Sequence, residues 1–478
     1  MALIRRIHKS RKDLQRVFPD PEGGDELALT GWALSYGSYE YALSRDERAI
    51  LREMWEERVA ALPASQRAML RAKLEMSRFL LRTRHRAKRL LASPDAAKRQ
   101  PLRPRPPAIV AIPAADGLAV NLVGYAAAAT GVGQSVRAAE SAFKTSGFAP
   151  HIVKVELDGR WNPSELRPDA ASVFYINADQ SELVVGAMNG SHSPSIPRIG
   201  YWAWELETFS SEWLPAFELF HEIWTPSSFC SRAMSKVTSK SVIPVPHPIQ
   251  LDAVARLGKT DFGIPADEFV FLCAFDMLSV FERKNPLAAI AAFQRAFPPT
   301  ERGARLVVKV NNGARDAGNM ERLRAAVAAD SRITLMDACL TRSDMNALLA
   351  CCDCYVSLHR SEGFGLMIAE AMWLGKPVIV TGYSGNMDFT NDANSFLVGY
   401  DLTTVGPGSR PYDPDELWAD PRVDEACAQM RMVFDQSVLR EERAGEAQRF
   451  VRTALSPARV GEIITERLRL AGVAQTVR

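Results

Sequence analysis

The 478-residue sequence predicts an α/β protein built of two open parallel sheets, each wrapped by helices, behind a helical N-terminal extension. Three observations support this. From about Gly117, short apolar runs alternate with helix-like segments, as strand–helix–strand units do. The runs fall into two sets, parted by Pro244-Val-Pro-His-Pro-Ile249, where prolines stiffen a crossover. The length exceeds what one simple core holds and suits two domains with additions.

Residues 1–107 read as mainly helical, with Ser44 to Ala61 and Ser65 to Leu91 rich in Ala, Leu, Glu and Arg and separated by Pro63. Gln100-Pro-Leu-Arg-Pro-Arg-Pro-Pro107 forbids helix and reads as an extended linker, which sets the first boundary. The next unit, 108–249, has its expected strands at Ala119–Val123, His151–Val155, Ser172–Ile176, Arg198–Trp202, Glu222–Thr225 and Ser241–Val245. Residues 250–456 repeat the pattern at Phe269–Phe275, Arg305–Val310, Ile333–Met336, Cys354–Leu358, Pro377–Thr381 and Ser395–Val398. The last segment, 457–478, opens with a closing helix over Pro457 to Leu470. Two open α/β units joined this way bind ligands in the cleft outside the carboxyl ends of their strands.

Composition narrows the class. Hydrophobic residues at 47% and charged residues at 24% exclude a disordered chain. The net charge of +2 conceals a split: residues 1–107 carry 23 Lys and Arg against 13 Asp and Glu, and the remaining 371 carry 35 against 43. A basic arm precedes an acidic body. Arg78, Arg82, Arg86 and Arg89 recur at helical spacing with Arg84 and Lys88 beside them, a pattern that suits an anionic membrane face or a partner protein, or equally a solvated helix packed through Leu70, Leu74 and Leu81. Nucleic acid is not expected, because neither aromatic interleaving nor a helix-turn-helix pattern accompanies the charge.

The opening MALIRRIHKS lacks the apolar core of an export signal. The uncharged stretch Gly117 to Val136 holds four glycines and several polar residues, so it reads as strand, loop and helix start, not a membrane span. Seven cysteines without paired metal-ligand spacing point to a reducing cytoplasm, and Cys351, Cys352 and Cys354 read as small core residues. Asp413-Pro-Asp415 follows no apolar strand and does not read as a metal motif.

The segment with most chemistry is Arg360-Ser-Glu362-Gly-Phe-Gly-Leu-Met-Ile-Ala-Glu370. A strand ends before it and a helix begins near Leu366. Gly363 and Gly365 let backbone amides approach a ligand, and the helix start favours an anion. Glu362 at the loop mouth and Glu370 one turn into the helix suit a ligand rich in vicinal hydroxyls, since each carboxylate accepts two hydrogen bonds. Read blandly, they are an exposed glutamate and a helix-face glutamate.

This Glu-x7-Glu segment, followed by Gly375-Lys-Pro-Val-Ile379, resembles the signature of family 4 retaining glycosyltransferases of the GT-B fold, over roughly residues 117–470. The resemblance implies two facing Rossmann-like domains and transfer of a hexose from a nucleotide sugar to a saccharide or lipid-linked saccharide, without metal or cofactor. It implies contact of Glu362 with the donor sugar and of Glu370 with the ribose. The amides of Gly363, Phe364, Gly365 and Leu366 would line the sugar and diphosphate.

Arg283-Lys284, within Phe275-Asp-Met-Leu-Ser279-Val-Phe-Glu-Arg283-Lys284-Asn-Pro286, is similar to the family's arginine–lysine element, which neutralises the departing diphosphate. Many members place an arginine where Leu278 stands here, and others carry a small hydroxyl residue, as Ser279. Thr130-Gly-Val-Gly133-Gln-Ser-Val136 lacks the third glycine of a dinucleotide fingerprint, which disfavours hydride transfer. The resemblance instead turns Gly131 and Gly133 toward the donor diphosphate and acceptor.

Ser384, Gly385 and Asn386, in the loop after the next strand, are either further donor contacts or an ordinary turn. In Gly200-Tyr-Trp-Ala-Trp204-Glu205, Trp204 is read as an acceptor platform or as core, and Glu205 as a cleft residue. His192, His247 and His359 lie near loops or strand ends, each with a structural reading of its own. Family frequency points to GDP-mannose as donor; the expected role is bacterial surface polysaccharide synthesis in the cytoplasm, with the basic residues 1–107 suiting peripheral contact at the inner face of the plasma membrane. A UDP-linked donor and a catalytically silent scaffold are the alternatives.

Overall fold

The structure, a computed structural model, describes residues 118–471 apart from 128–130, 189–195 and 252–253, and of the preceding residues only 30, 53, 55–60 and 62. The chain divides into two units, Met1–Pro104 and Arg105–Arg478. In the first, residues 55–60 are helical, with Trp55 and Val59 buried. The basic run 78–91 and the proline-rich linker lie outside the described residues. Among the described residues no helix is long and apolar enough to cross a membrane.

The second unit carries two six-stranded sheets, and it has the GT-B fold. The first sheet is built from β1 (Ala119–Gly124), β2 (Ala149–Lys154), β3 (Ala171–Tyr175), β4 (Arg198–Tyr201), β5 (Glu222–Thr225) and β6 (Ser241–Pro244) in the order β2-β1-β3-β4-β5-β6. The second comprises β7 (Phe269–Asp276), β8 (Ala304–Asn311), β9 (Ile333–Asp337), β10 (Cys354–Ser357), β11 (Val378–Thr381) and β12 (Phe396–Val398) in the order β12-β11-β10-β7-β8-β9. Every pair in both sheets is parallel. Parallel strands covered on both faces read as continuous apolar runs, which is why all of Ala171–Tyr175 and Val378–Thr381 is buried.

Each sheet has a core on either face. In the first, Val136, Ala139 and Phe143 of helix α1 (Gly131–Thr145) pack on Val120 and Leu122. The closing helix, Pro457–Leu470, adds Val460, Ile464 and Leu468 to that same core, so the chain returns to its first sheet. Gly461 allows the approach: a Cβ there would stand 2.7 Å from the Ala142 carbonyl oxygen. Arg467 at the far end meets Glu222 of β5 at 3.1 and 2.5 Å.

One element was not expected. Tyr400–Thr404 (β13) and Leu417–Pro421 (β14) form an antiparallel hairpin. Its Val405, Tyr412 and Trp418 are buried in the first domain's aromatic core with Trp202, Trp204 and Phe209. Glycines 406 and 408 and prolines 407, 411 and 414 made the stretch read as loop, and the strands themselves are short and half exposed.

The order of the second sheet positions the site. β10 stands between β7 and β11, so the loops that leave these three strands at their carboxyl ends are neighbours. Those loops carry Arg283 and Lys284, Glu362, and Ser384 to Asn386 respectively.

Candidate active site

After β7 the chain makes a four-residue helix, Phe281–Lys284, that ends sharply at Asn285 in the left-handed region (φ 50°). Asparagine tolerates that conformation, and Pro286 then starts the next helix. The Asn285 amide donates to the Leu358 carbonyl at 3.0 Å, and the Arg360 N–H donates to the Arg283 carbonyl at 2.7 Å. These two bonds fasten the arginine–lysine turn to the glutamate loop.

Arg283 and Lys284 both reach Glu362. Lys284 Nζ donates to one carboxylate oxygen, and Arg283 Nη1 lies 3.2 Å from the other while also donating to the Ser361 carbonyl at 2.8 Å. Burial alone would push the Glu362 carboxyl up, but Lys284 and Arg283 outweigh it and hold it down at about 2. Burial lowers the Lys284 ammonium, with Glu362 opposing. Arg283 Nε is buried without a hydrogen-bond partner. An unsatisfied donor on a buried guanidinium, with the Lys284 ammonium beside it, is a place for an anion.

Helix Leu366–Trp373 begins at Gly365, whose φ of 93° favours glycine. Its first amides have no carbonyl a turn behind them and point out of the helix start. Glu370, one turn in, is 2% exposed. One of its oxygens pairs with Arg342, and the other, Oε2, is buried without a partner. Burial raises its carboxyl and Arg342 opposes the rise. Such an oxygen is ready to accept from a ligand hydroxyl.

The loop after β11 lies behind this one. Ser384 Oγ accepts from the Glu362 N–H at 2.8 Å, and the Gly385 N–H donates to the Glu362 carbonyl at 2.9 Å. Asn386 is 0% exposed: its Oδ1 lies 3.0 Å from His359 Nε2 and its Nδ2 donates to the Thr381 carbonyl at 3.1 Å. The Asn386 side-chain polar atoms are engaged by protein groups, an arrangement that supports the turn beside the glutamate loop.

Glu205 of the first domain, just beyond β4, joins the cluster. Its Oε2 accepts from the Tyr412 hydroxyl at 2.9 Å, and its Oε1 lies 3.8 Å from Arg283 Nη2. Trp204 is placed differently from an acceptor platform. It is 3% exposed, its ring packs at 5.1 to 5.5 Å against Phe209, Trp213 and Tyr412, and its Nε1–H donates to the Thr208 carbonyl. Trp202 and Trp224 are fully buried too. The tryptophan concentration is core.

Gly131 and Gly133 fall in the first turn of helix Gly131–Thr145, and the three residues before it lie outside the described set. Ser279 is half-buried after β7, its N–H donating to the Asp276 carbonyl. Phe364 packs its ring on His247 and Phe389, which leaves its amide, not its side chain, for a ligand. His247 sits in the crossover between the domains, 3.2 Å from the Tyr201 hydroxyl and 3.4 Å from Ser135 Oγ, and burial lowers its pKa to about 4. His192 lies outside the described residues. Cys352 and Cys354 are buried among apolar groups, and Cys351 is half-buried. Among the described residues no group of three or more His, Cys, Asp or Glu is placed to hold a metal ion.

Four contributors were not named from sequence. Arg342 opens a helix after the Thr341 cap and carries no motif that would mark it. Tyr412 belongs to the unforeseen hairpin. Ser227 and Cys230 of the first domain both reach the Gly363 carbonyl, at 2.6 and 3.2 Å, and only the Ser227 cap of helix Ser228–Ser235 is visible in sequence.

A glycine loop at a helix start, two cations and two carboxylates, Glu370 buried and Glu362 nearly so, thus lie beyond the carboxyl ends of the second sheet's strands. Residues 269–404 match the family model for glycosyl transferases group 1. That segment holds Arg283, Lys284, Arg342, Glu362 and Glu370. No curated protein matches the chain in sequence. Among solved structures, the Anabaena protein Alr3699/HepE in complex with UDP-glucose is similar at a TM-score of 0.55 and 15% identity, over 74% of this chain and 99% of that one. Sucrose-phosphate synthase from Thermosynechococcus elongatus is similar at 0.55 and 14% identity, over 75% and 100%. Trehalose 6-phosphate synthase from Burkholderia multivorans is similar at 0.53 and 11%, over 76% and 100%. These likenesses concern the fold.

Proposed function

We propose that the chain is a retaining, metal-independent hexosyltransferase that moves a hexose from a nucleoside diphosphate to a saccharide or lipid-linked saccharide in bacterial surface polysaccharide synthesis. The observation that carries this reading is the meeting of Arg283 and Lys284 with Glu362 beside the Gly363–Gly365 loop, while Glu370 keeps a buried, unpaired oxygen. Glu370 Oε2 accepts from a ribose hydroxyl. Glu362 accepts from the hexose, and the diphosphate lies on the cations and the amides of the helix start.

The bond from the sugar's anomeric carbon to the diphosphate breaks, and the acceptor hydroxyl bonds to that carbon on the same face. Its proton passes to the departing phosphate oxygen. Arg283 and Lys284 stabilise the charge that develops there. Water is the competing acceptor, and closure of the two domains over the donor would suppress hydrolysis. Residues 1–107, with their excess of Lys and Arg, meet an anionic membrane surface where lipid-linked acceptors reside. GDP-mannose and UDP-glucose are the donors to compare, the second because the similar Anabaena structure is a complex with UDP-glucose.

A thermal-shift panel of UDP- and GDP-hexoses tests the reading. At least one raises the melting temperature of the wild-type protein, and Glu370→Ala abolishes the shift. A panel without any shift, or a shift that survives Glu370→Ala, contradicts it. Binding without turnover would favour a silent scaffold instead.

A further inference from the structure

The two cations of the site are already paired with carboxylates. Arg283 and Lys284 face Glu362, and Glu205 approaches Arg283 from the first domain at 3.8 Å. The arriving diphosphate is a third anionic group for two cations. Glu362 has two of the shorter contacts and, in the proposed function on which this inference rests, a hexose to hold. Glu205 has the longest and weakest contact with the arginine and a second partner of its own, the Tyr412 hydroxyl at 2.9 Å.

Tyr412 is well anchored. The hairpin that carries it is tied to the glutamate loop, the Ala419 N–H donating to the Arg360 carbonyl at 3.0 Å and Arg360 Nη2 pairing with Asp420 at 2.9 Å. Its ring is buried against Trp204 and Trp418. The hydroxyl is therefore a fixed point, and the Glu205 backbone is fixed as well, because its carbonyl accepts from Ser361 Oγ.

We infer that Glu205 is a first-domain counter-ion that competes with the donor diphosphate for Arg283, and that Tyr412 is the positioning residue that restrains it. When a diphosphate takes Arg283, Glu205 stays on Tyr412 with one oxygen free at the mouth of the reacting site. That oxygen accepts a hydrogen bond from a neutral acceptor hydroxyl. The donor therefore binds first, and an acceptor bearing a phosphate or carboxylate next to its reacting hydroxyl is disfavoured by like charge.

The two substitutions have opposite signs. Glu205→Gln removes the competing charge and tightens nucleotide binding about three- to tenfold. Tyr412→Phe keeps the ring but releases Glu205 to close on Arg283, and weakens binding about two- to fivefold. The double variant behaves as Glu205→Gln, because Tyr412 acts only through that carboxylate.

Calorimetric titration of the full-length protein with UDP, GDP and inorganic pyrophosphate reads all three. A merely structural role for either residue would weaken binding in both single variants and more so in the double. Wild-type binding with no gain in Glu205→Gln, or with Tyr412→Phe tightening, overturns this inference alone. A wild-type protein that binds neither nucleotide overturns it together with the proposed function.

Discussion

Replacing Lys284 by alanine is expected to slow turnover of the nucleotide-sugar donor by about two to three orders of magnitude, the loss typical of removing one preorganised group from a developing anion. Lys284 is half-buried, and among the described residues its ion-pair partner is Glu362. Glu362 keeps Arg283 when the lysine is gone, so its carboxylate is not left as an unpaired buried charge. The defect therefore falls on the chemistry more than on the fold. Nucleoside diphosphate release at saturating donor, with the melting temperature measured alongside, separates the two. A rate within threefold of wild type would remove Lys284 from the diphosphate site.

The second large effect is steric. A Cβ at Gly385 would lie 2.5 Å from the Gly363 carbonyl carbon and 2.8 Å from the Glu362 carbonyl oxygen, both of them backbone atoms that no side-chain rotation relieves. Gly385→Ala must push the supporting turn away from the glutamate loop. That breaks the bond from its own N–H to the Glu362 carbonyl and disturbs the one from the Glu362 N–H to Ser384. A cost on the order of 1–3 kcal/mol is expected, as for other overpacked sites. Donor affinity should fall at least tenfold with it. Gly382→Ala is the comparison, since its Cβ would meet nothing nearer than 3.5 Å. Equal donor affinity in the two variants, measured by calorimetry, would contradict this account of the loop.

Much of this site was legible because its residues are bound to local chain features. Glu362 and Glu370 flank a glycine turn at a helix start, and Arg283-Lys284 follows a strand end. The sheet order then brings together the loops that each motif marks separately. The strands were legible as apolar runs because both sheet faces are covered. The closing helix, expected over Pro457 to Leu470, has those bounds in the structure. What was not legible depends on contacts distant in sequence. Arg342 follows the edge strand β9 and Glu370 follows β10, with β7 and β8 between those strands, and Tyr412 meets Glu205 over 207 positions. The hairpin escaped because its glycines and prolines dominate a stretch whose strands have little apolar alternation. Trp204 and Asn386 carry two readings in sequence, sugar contact or structure, because composition does not tell which ring faces and polar atoms the protein itself engages, as it does here.

The most direct measurement is release of nucleoside diphosphate from a panel of UDP- and GDP-hexoses by the full-length protein, compared with Glu362→Gln. Turnover of at least one donor by the wild-type chain, slowed tenfold or more by the substitution, is the result this structure predicts. Absence of turnover from every donor, or turnover that Glu362→Gln leaves unchanged, would contradict transfer at this cleft.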